Sequence, residues 1–154
     1  MRSQVSTLCL APIIVALSIL QAGGESMPGA ASDDQTTAAT IAAVNRFNEA
    51  FNRHDVDGVM AAMTADCVFE DTSPAPDGGR YQGQAVVRAY WERFFSANAD
   101  ARFDAEDMFG SGDRAVVRWV YRKMRDGRPW HLRGVDVFRV RDGKVSEKFA
   151  YVKG

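Results

Sequence analysis

Two aspartates stand in otherwise apolar, strand-like stretches of this chain, where they could carry acid–base chemistry. Asp136 interrupts the apolar residues of "GVDVFRV", and Asp71 ends "DCVFED". A carboxylate is among the most costly groups to remove from water. Each aspartate is therefore solvated, paired with a partner, or held in an apolar setting where its altered acidity is useful.

Strand geometry places both carboxyl groups on apolar faces. Side chains alternate along a strand, so Asp71 shares a face with Cys67 and Phe69. Asp136 shares its face with Trp130, Leu132, Gly134, Phe138 and Val140. Because burial raises the proton affinity of the less hydrated carboxyl, we predict Asp71 as the ionised base. We predict Asp136 as the protonated group that donates to a developing enolate oxygen.

Each aspartate also has a structural explanation. Asp136 could accept hydrogen bonds from Trp119, Trp130 or a tyrosine and only fix a polar point in the sheet, or it could lie partly wet at a cavity mouth. Asp71 precedes "TSPAPDGG", a turn-rich segment whose backbone N–H groups a carboxylate can cap. Both alternatives stay open at the level of the sequence.

Aromatic side chains are frequent enough to wall a cavity for a flat apolar ligand, although the same spacings are typical of plain core packing. The predicted wall residues are Phe47, Phe69, Tyr90, Trp91, Trp119, Trp130 and Phe138, with Met108 as a further candidate. The sequence has only two histidines, His54 and His131, and alternation places His131 on the opposite face from Asp136. Neither a metal site nor a cofactor is predicted.

Periodicity predicts the elements that position these residues. Ser32 or Asp33 can cap a first helix, Asp55 a short second one, and "QAVVRAYWERFFSAN" forms a third. The apolar residues of the first two are Ile41, Val44, Phe47 and Phe51, then Val59, Met60 and Met63. A short strand covers 66–71, and 72–83 is predicted to have no regular structure. After Ala101, four strands joined by "GSGD", "RDGR" and "RDGK" predict an antiparallel meander, hence an α+β fold.

Composition bounds the remaining possibilities. The chain has 154 residues, of which 46% are hydrophobic and 25% charged, with a net charge of −1, which argues against a nucleic-acid partner. Arg2 and the apolar run 8–20 predict a signal peptide, too short for a stable membrane anchor, within a signal and linker segment 1–31. Residues 32–154 are predicted to form one exported domain, periplasmic or secreted. Its single cysteine, Cys67, is predicted to be a small buried residue.

The order of elements, with "FNRHDVDGVMAAMTADCVFED" and "GVDVFRVRDGKV", resembles the SnoaL-like and ketosteroid-isomerase-like branch of the nuclear transport factor 2 (NTF2-like) superfamily. The resemblance covers Thr37 to Lys153. It implies a cone-shaped fold, in which a curved antiparallel sheet wraps around three helices and leaves an apolar cavity. It also implies a homodimer that pairs through the outer face of the sheet.

The resemblance also implies roles for single residues. Asp71, in "VFEDT", falls where ketosteroid isomerases have the proton-shuttling base. Asp136, in "VDVFRV", falls where they have a protonated aspartate that donates to the oxyanion. Phe47 stands in place of the family's tyrosine, so half of that oxyanion hole is missing. Limonene-epoxide-hydrolase-like members use an Asp-Arg-Asp relay, which "RAVVRWVYRKM" lacks.

The implied function is a cofactor-independent isomerase or cyclase acting on a small apolar cyclic carbonyl compound. In SnoaL-like cyclases an aspartate matching Asp136 is the acid/base, and the tyrosine is not required. The alternative is a non-catalytic exported module that holds a small apolar ligand in the same cavity, which Phe47 and export favour. A third possibility is a dimerisation domain with a closed core.

Overall fold

The computed structural model describes residues 28–153. The predicted signal peptide and the start of the predicted linker lie outside these residues and stay predictions. Within 28–153, no helix combines the length and the apolar character that crossing a membrane requires.

Three helices form along the first two thirds of the chain: α1 (Pro28–Asn52), α2 (Val56–Ala61) and α3 (Gln84–Ala97). α1 begins at Pro28, before the predicted caps Ser32 and Asp33. The fixed φ of proline suits the first turn of a helix, and the alanine-rich segment that follows continues it. Asp55 caps α2 as predicted, since its carboxylate accepts a hydrogen bond from Gly58 N at 2.8 Å.

Six strands complete the fold: β1 (Met63–Glu70), β2 (Arg80–Gln82), β3 (Arg102–Ser111), β4 (Arg114–Arg125), β5 (Arg128–Arg141) and β6 (Lys144–Val152). Two of them correct the predictions. β1 starts at Met63, which the helical pattern had assigned to α2, and β2 lies in the segment predicted to be irregular. β2 forms because the loop after β1 returns the chain alongside it, with Asp71 N donating to Gly79 O at 2.9 Å.

The strands form one sheet in the order β2-β1-β6-β5-β4-β3. Neighbours are antiparallel except β1 and β6, which run parallel. The predicted meander is confirmed. At Asp126-Gly127 the φ values are 51° and 72°, and at Asp142-Gly143 they are 53° and 70°, as two-residue hairpin turns require. The core joins all three helices to the sheet, which confirms the α+β class.

The inner face of β5 follows the predicted alternation. Gly134, Asp136, Phe138 and Val140 are buried, whereas Arg139 between the last two is exposed. Asp136 is 0% exposed. The strand therefore carries a carboxyl group into the core.

Ion pairs on the outer face of the sheet connect β3 with β4 and β5. Glu106 of β3 forms ion pairs with Arg118 and Arg133, and Arg122 Nε lies 2.9 Å from Asp104 Oδ2. These pairs place three arginines of β4 and β5 beside carboxylates of β3. The pairing of two copies through this face stays a prediction.

Gly134 occupies a position with no room for a side chain. A Cβ there would lie 2.2 Å from Tyr151 O and 2.5 Å from Trp119 Cζ2. We expect Gly134→Ala to lower the free energy of unfolding by about 1–3 kcal/mol, as overpacking does. Urea unfolding measures this, and Val86→Ala, at an exposed helix position, is the control with an expected change within about 0.5 kcal/mol. Unchanged stability of Gly134→Ala would mean that the neighbouring strands shift to accommodate the added methyl group without cost.

Candidate functional site

A cavity of about 110 Å³ lies between the helices and the inner face of the sheet. Its wall is mainly aromatic and comes from α1, α3, β1, the loop after β1, and β3 to β6. An engineered cavity of roughly 150 Å³ binds benzene, so the empty space here is close to that of one small ring. The core is therefore not closed.

Most predicted site residues share this cavity: Phe47, Phe69, Asp71, Tyr90, Trp91, Trp119 and Asp136. Trp130 and Phe138 do not line it. Leu132 is the first residue of β5 that lines the cavity, and Trp130 lies two residues before it, with Lys123 and Arg125 at 5.9 and 5.6 Å from its ring. Phe138 is buried in the core beside the cavity. Met108 packs against the core without lining the cavity.

Asp136 meets a cation inside the cavity. Lys148 Nζ, from β6, lies 2.8 Å from Asp136 Oδ2, and both side chains are almost fully buried. Asp136 pairs across the sheet with Ala150, which makes Lys148 its diagonal neighbour on the same face. The ammonium also lies 5.2 Å from the ring centre of Phe69 and 5.7 Å from that of Phe138, contacts that favour a cation.

Burial raises the pKa of Asp136 above its ordinary value of 3.8, because a carboxylate loses its hydration in the core. The ammonium of Lys148 and the indole of Trp119 oppose this rise, and the negative charge of Asp71 adds to it. The proton affinity of Asp136 is thus set by competition between desolvation and one nearby cation. Removing the cation leaves desolvation unopposed by any full charge inside the cavity.

Several buried polar atoms in the cavity wall lack a hydrogen-bond partner. Within residues 28–153 these include Asn48 Nδ2, Trp91 Nε1, Trp119 Nε1, Tyr121 Oη and both carboxylate oxygens of Asp136. The contact of Asp136 with Lys148 is thus a short ion pair without the angles of an ordinary hydrogen bond. Buried polar groups are nearly always paired, so these atoms mark where the polar atoms of a bound molecule are expected. Most are donors, which suits a carbonyl oxygen.

Asp71 lies half-buried just after β1, at one side of the cavity. Its Oδ1 accepts a hydrogen bond from Thr72 N at 2.7 Å, so the predicted capping role is present as well. Asp71 also lines an outer pocket of about 550 Å³ that shares Thr72 and Ala150 with the cavity. Burial raises the pKa of the Tyr90 hydroxyl, and a hydrogen bond to Asp71 and its charge raise it further. Tyr90 is therefore a neutral donor beside this carboxylate.

The histidines lie outside the cavity. His54 Nε2 is 3.1 Å from Ala101 O, and its ring stacks on Phe95 at 4.9 Å. His131 is exposed. In the described part of the chain, no group of three or more His, Cys, Asp or Glu side chains is arranged to hold a metal ion. Cys67 is buried, as predicted.

The sequence pattern of a known family covers this whole site. Residues 44–148 match the SnoaL-like domain. The chain belongs to the SnoaL-like domain family. The match begins on α1 just before Phe47 and ends at Lys148, so it spans nearly all of the cavity wall, and it confirms the family resemblance.

Solved NTF2-like structures share the SnoaL-like fold of this chain. An NTF2-like protein of unknown function from Mesorhizobium loti is 39% identical, with a TM-score of 0.67 over 77% of this chain and 93% of that chain. Another NTF2-like protein of unknown function, from Burkholderia pseudomallei K96243, is 28% identical, with a TM-score of 0.65 over 75% of this chain and 91% of that chain. A Xanthomonas campestris pv. campestris protein, provisionally assigned as a polyketide cyclase, is 22% identical, with a TM-score of 0.64 over 77% and 93%, which shows the fold alone. None of the curated proteins matches this sequence.

Reasoning from the sequence missed Lys148, Asn48 and Tyr121. Tyr121 had a usable signal, because it lies two residues after Trp119 on β4 and therefore shares its face. Lys148 lies in "KVSEKFAYV", which mixes charged and apolar residues. It had no usable signal, because alternation from the β5–β6 turn would place Lys148 on the outer face.

Proposed function

We propose that this SnoaL-like protein catalyses cofactor-independent proton transfer on a small cyclic carbonyl compound, as an isomerase or cyclase. The observation that carries the proposal is one apolar cavity lined by two carboxyl groups in different surroundings. Asp71 is half-buried and accepts a backbone N–H, whereas Asp136 is fully buried beside Lys148. Two carboxyl groups that differ this much in burial and partners can divide the base and acid roles.

In the proposed reaction, Asp71 removes a proton from the carbon next to the carbonyl and returns it to the same carbon or to another. Negative charge then develops on the carbonyl oxygen, and donors already in place stabilise it. The ammonium of Lys148, the indole N–H of Trp119 and the acid form of Asp136 are available for this in the cavity wall. They would supply the stabilisation that Phe47, without a donor, does not.

The volume of the cavity limits the substrate. Drug-sized ligands occupy sites of about 300–1,000 Å³, whereas this cavity has about 110 Å³. The enclosed part of the substrate is therefore one small ring. A larger compound would extend past Asp71, Thr72 and Ala150, which separate the cavity from the outer pocket.

The second candidate function is a non-catalytic module that holds a small apolar ligand. Two observations favour it. Lys148 forms an ion pair with Asp136, the carboxyl group predicted to act as the acid, and Phe47 offers no hydrogen-bond donor. The same cavity would then bind a ring without exchanging its protons.

A β,γ-unsaturated cyclohexenone tests the proposal, because its conversion to the conjugated isomer raises ultraviolet absorbance. NMR in deuterated water detects exchange of the protons next to the carbonyl even without net isomerisation. We expect activity in the wild-type protein and its loss in Asp136→Asn, with the cooperative unfolding transition retained. Ketone binding without exchange in either protein would support the module instead. Absence of both binding and exchange would contradict both functions.

A further inference from the structure

Lys148 is a primary amine enclosed in an apolar cavity beside a carboxyl group. It is 6% exposed, whereas Lys144 and Lys153 are exposed and Lys123 is half-buried at the end of β4. Lys148 Nζ lies 2.8 Å from Asp136 Oδ2, within the reach of direct proton transfer. Among residues 28–153, no other lysine lines the cavity.

We propose that Lys148 forms a protonated imine with an aldehyde or ketone that enters the cavity. This inference rests on the proposed function only for the entry of a carbonyl compound and does not require turnover. Lysines in desolvated sites are the amines that proteins use for this chemistry.

Asp136 can take the proton that otherwise blocks the amine. Lys148 Nζ and Asp136 Oδ2 are 2.8 Å apart, so the proton can pass directly from one group to the other. The oxygens of Asp136 have no hydrogen-bond partner of ordinary geometry among the described residues, so they are free to accept. The rings of Phe69 and Phe138 lie over the nitrogen and would face a cationic imine as they face the ammonium.

The step balances without any further reactant. A proton passes from the ammonium of Lys148 to Asp136, and the freed lone pair attacks the carbonyl carbon. The C–N bond forms as the C=O π bond opens, and a proton moves from nitrogen to oxygen to give a carbinolamine. Asp136 then gives its proton to the hydroxyl group, the C–O bond breaks, and water leaves as nitrogen forms the C=N bond. The product is a protonated imine paired with the carboxylate, and nothing is oxidised or reduced.

Reductive trapping with benzaldehyde and sodium cyanoborohydride tests this inference. Benzaldehyde carries one ring, in keeping with the cavity, and the reductant converts an imine into a stable benzylamine. Peptide mass mapping after brief exposure locates the label among the four lysines of the chain. We expect Lys148 to be labelled about tenfold faster than the other lysines or more, because it lies in the cavity that would hold the aldehyde, with a proton acceptor 2.8 Å from its nitrogen. In urea this preference should vanish.

Labelling of the other lysines ahead of Lys148 in the folded protein overturns the proposal. Lys148→Arg is the matched variant, since it keeps a positive charge beside Asp136 but has no primary amine. The fast label should be lost in this variant. Should the variant fail to fold, the relative labelling rates of the four lysines in the wild-type protein test the proposal by themselves.

The outcomes separate this inference from the proposed function. Proton exchange on the cyclohexenone without a label on Lys148 leaves a non-covalent mechanism and overturns the imine. A label on Lys148 without proton exchange supports the imine and overturns the proposed isomerase. Benzyl alcohol has nearly the same size as benzaldehyde but no carbonyl group. As a competitor it should slow the labelling of Lys148 and leave the labelling rate of Lys144 unchanged.

Discussion

Replacement of Asp71 by asparagine is expected to slow proton exchange on a one-ring ketone by about 10²–10⁴-fold, the usual contribution of a positioned general base. Asparagine has nearly the same size and can still accept the hydrogen bond that Thr72 N donates at 2.7 Å in the wild-type protein. It cannot take up a proton. The loss should therefore fall on the rate while the urea unfolding curve stays close to that of the wild type. Initial exchange rates in deuterated water measure it.

Asp77→Asn is the matched control for this variant. Asp77 is exposed, belongs to the same loop and lines the outer pocket but not the cavity, so its neutralisation should leave the exchange rate unchanged. Asp71→Glu keeps a base but moves it by one methylene group, and it should retain part of the activity. An Asp71→Asn protein as fast as the wild type would leave Asp71 with its capping role only.

Local rules predicted most of this fold because each acts within a few residues. Two Asp-Gly pairs determined two hairpin turns, and alternation alone placed Asp136 on the buried face of β5. Alternation gives the face of a side chain but not how far along the strand the helices cover it. For that reason Trp130 was predicted in the cavity and lies outside it.

Lys148 escaped prediction because a β-bulge sets its orientation. Uninterrupted pairing from the β5–β6 turn would place Lys148 opposite Val137, on the outer face. Ser146 is an extra residue in β6, and its hydroxyl donates to a backbone carbonyl of β5 at 3.2 Å. Beyond it, Lys148 pairs with Phe138 and turns to the face of Asp136. One bulge, which leaves no mark in the hydrophobic pattern, thus brings a cation into the cavity.

The bulge also bears on the missing tyrosine hydroxyl. Phe47 packs edge-on against Phe138 with ring centres 5.8 Å apart, and Lys148 Nζ lies 5.7 Å from the centre of that same Phe138 ring. A positive charge therefore stands one side chain away from the position that lacks a donor. Developing negative charge in this cavity would meet an ammonium group in place of a phenol.

Replacement of Lys148 by methionine is expected to lower the free energy of unfolding by about 3–5 kcal/mol at neutral pH, as the loss of one partner from a buried ion pair does. Methionine has a similar length and no charge, so the cavity wall stays filled and the loss reflects Asp136 without its cation. Urea unfolding measures the change. Lys144→Met, at an exposed position, is the control and should stay within about 0.5 kcal/mol of the wild type.

This loss should grow with pH. Without Lys148, burial remains the main influence on Asp136 and holds its pKa further above 3.8. At a pH below 3.8 the carboxyl group is protonated in the folded and unfolded chains alike, so the substitution costs least there. As the pH rises, the unfolded chain releases the proton first, and the cost grows by up to about 1.4 kcal/mol per pH unit. Adding Asp136→Leu removes the titrating group, so the double variant should regain most of the lost stability at neutral pH. A cost that is the same at acid and neutral pH would show that Asp136 is not held in an apolar site.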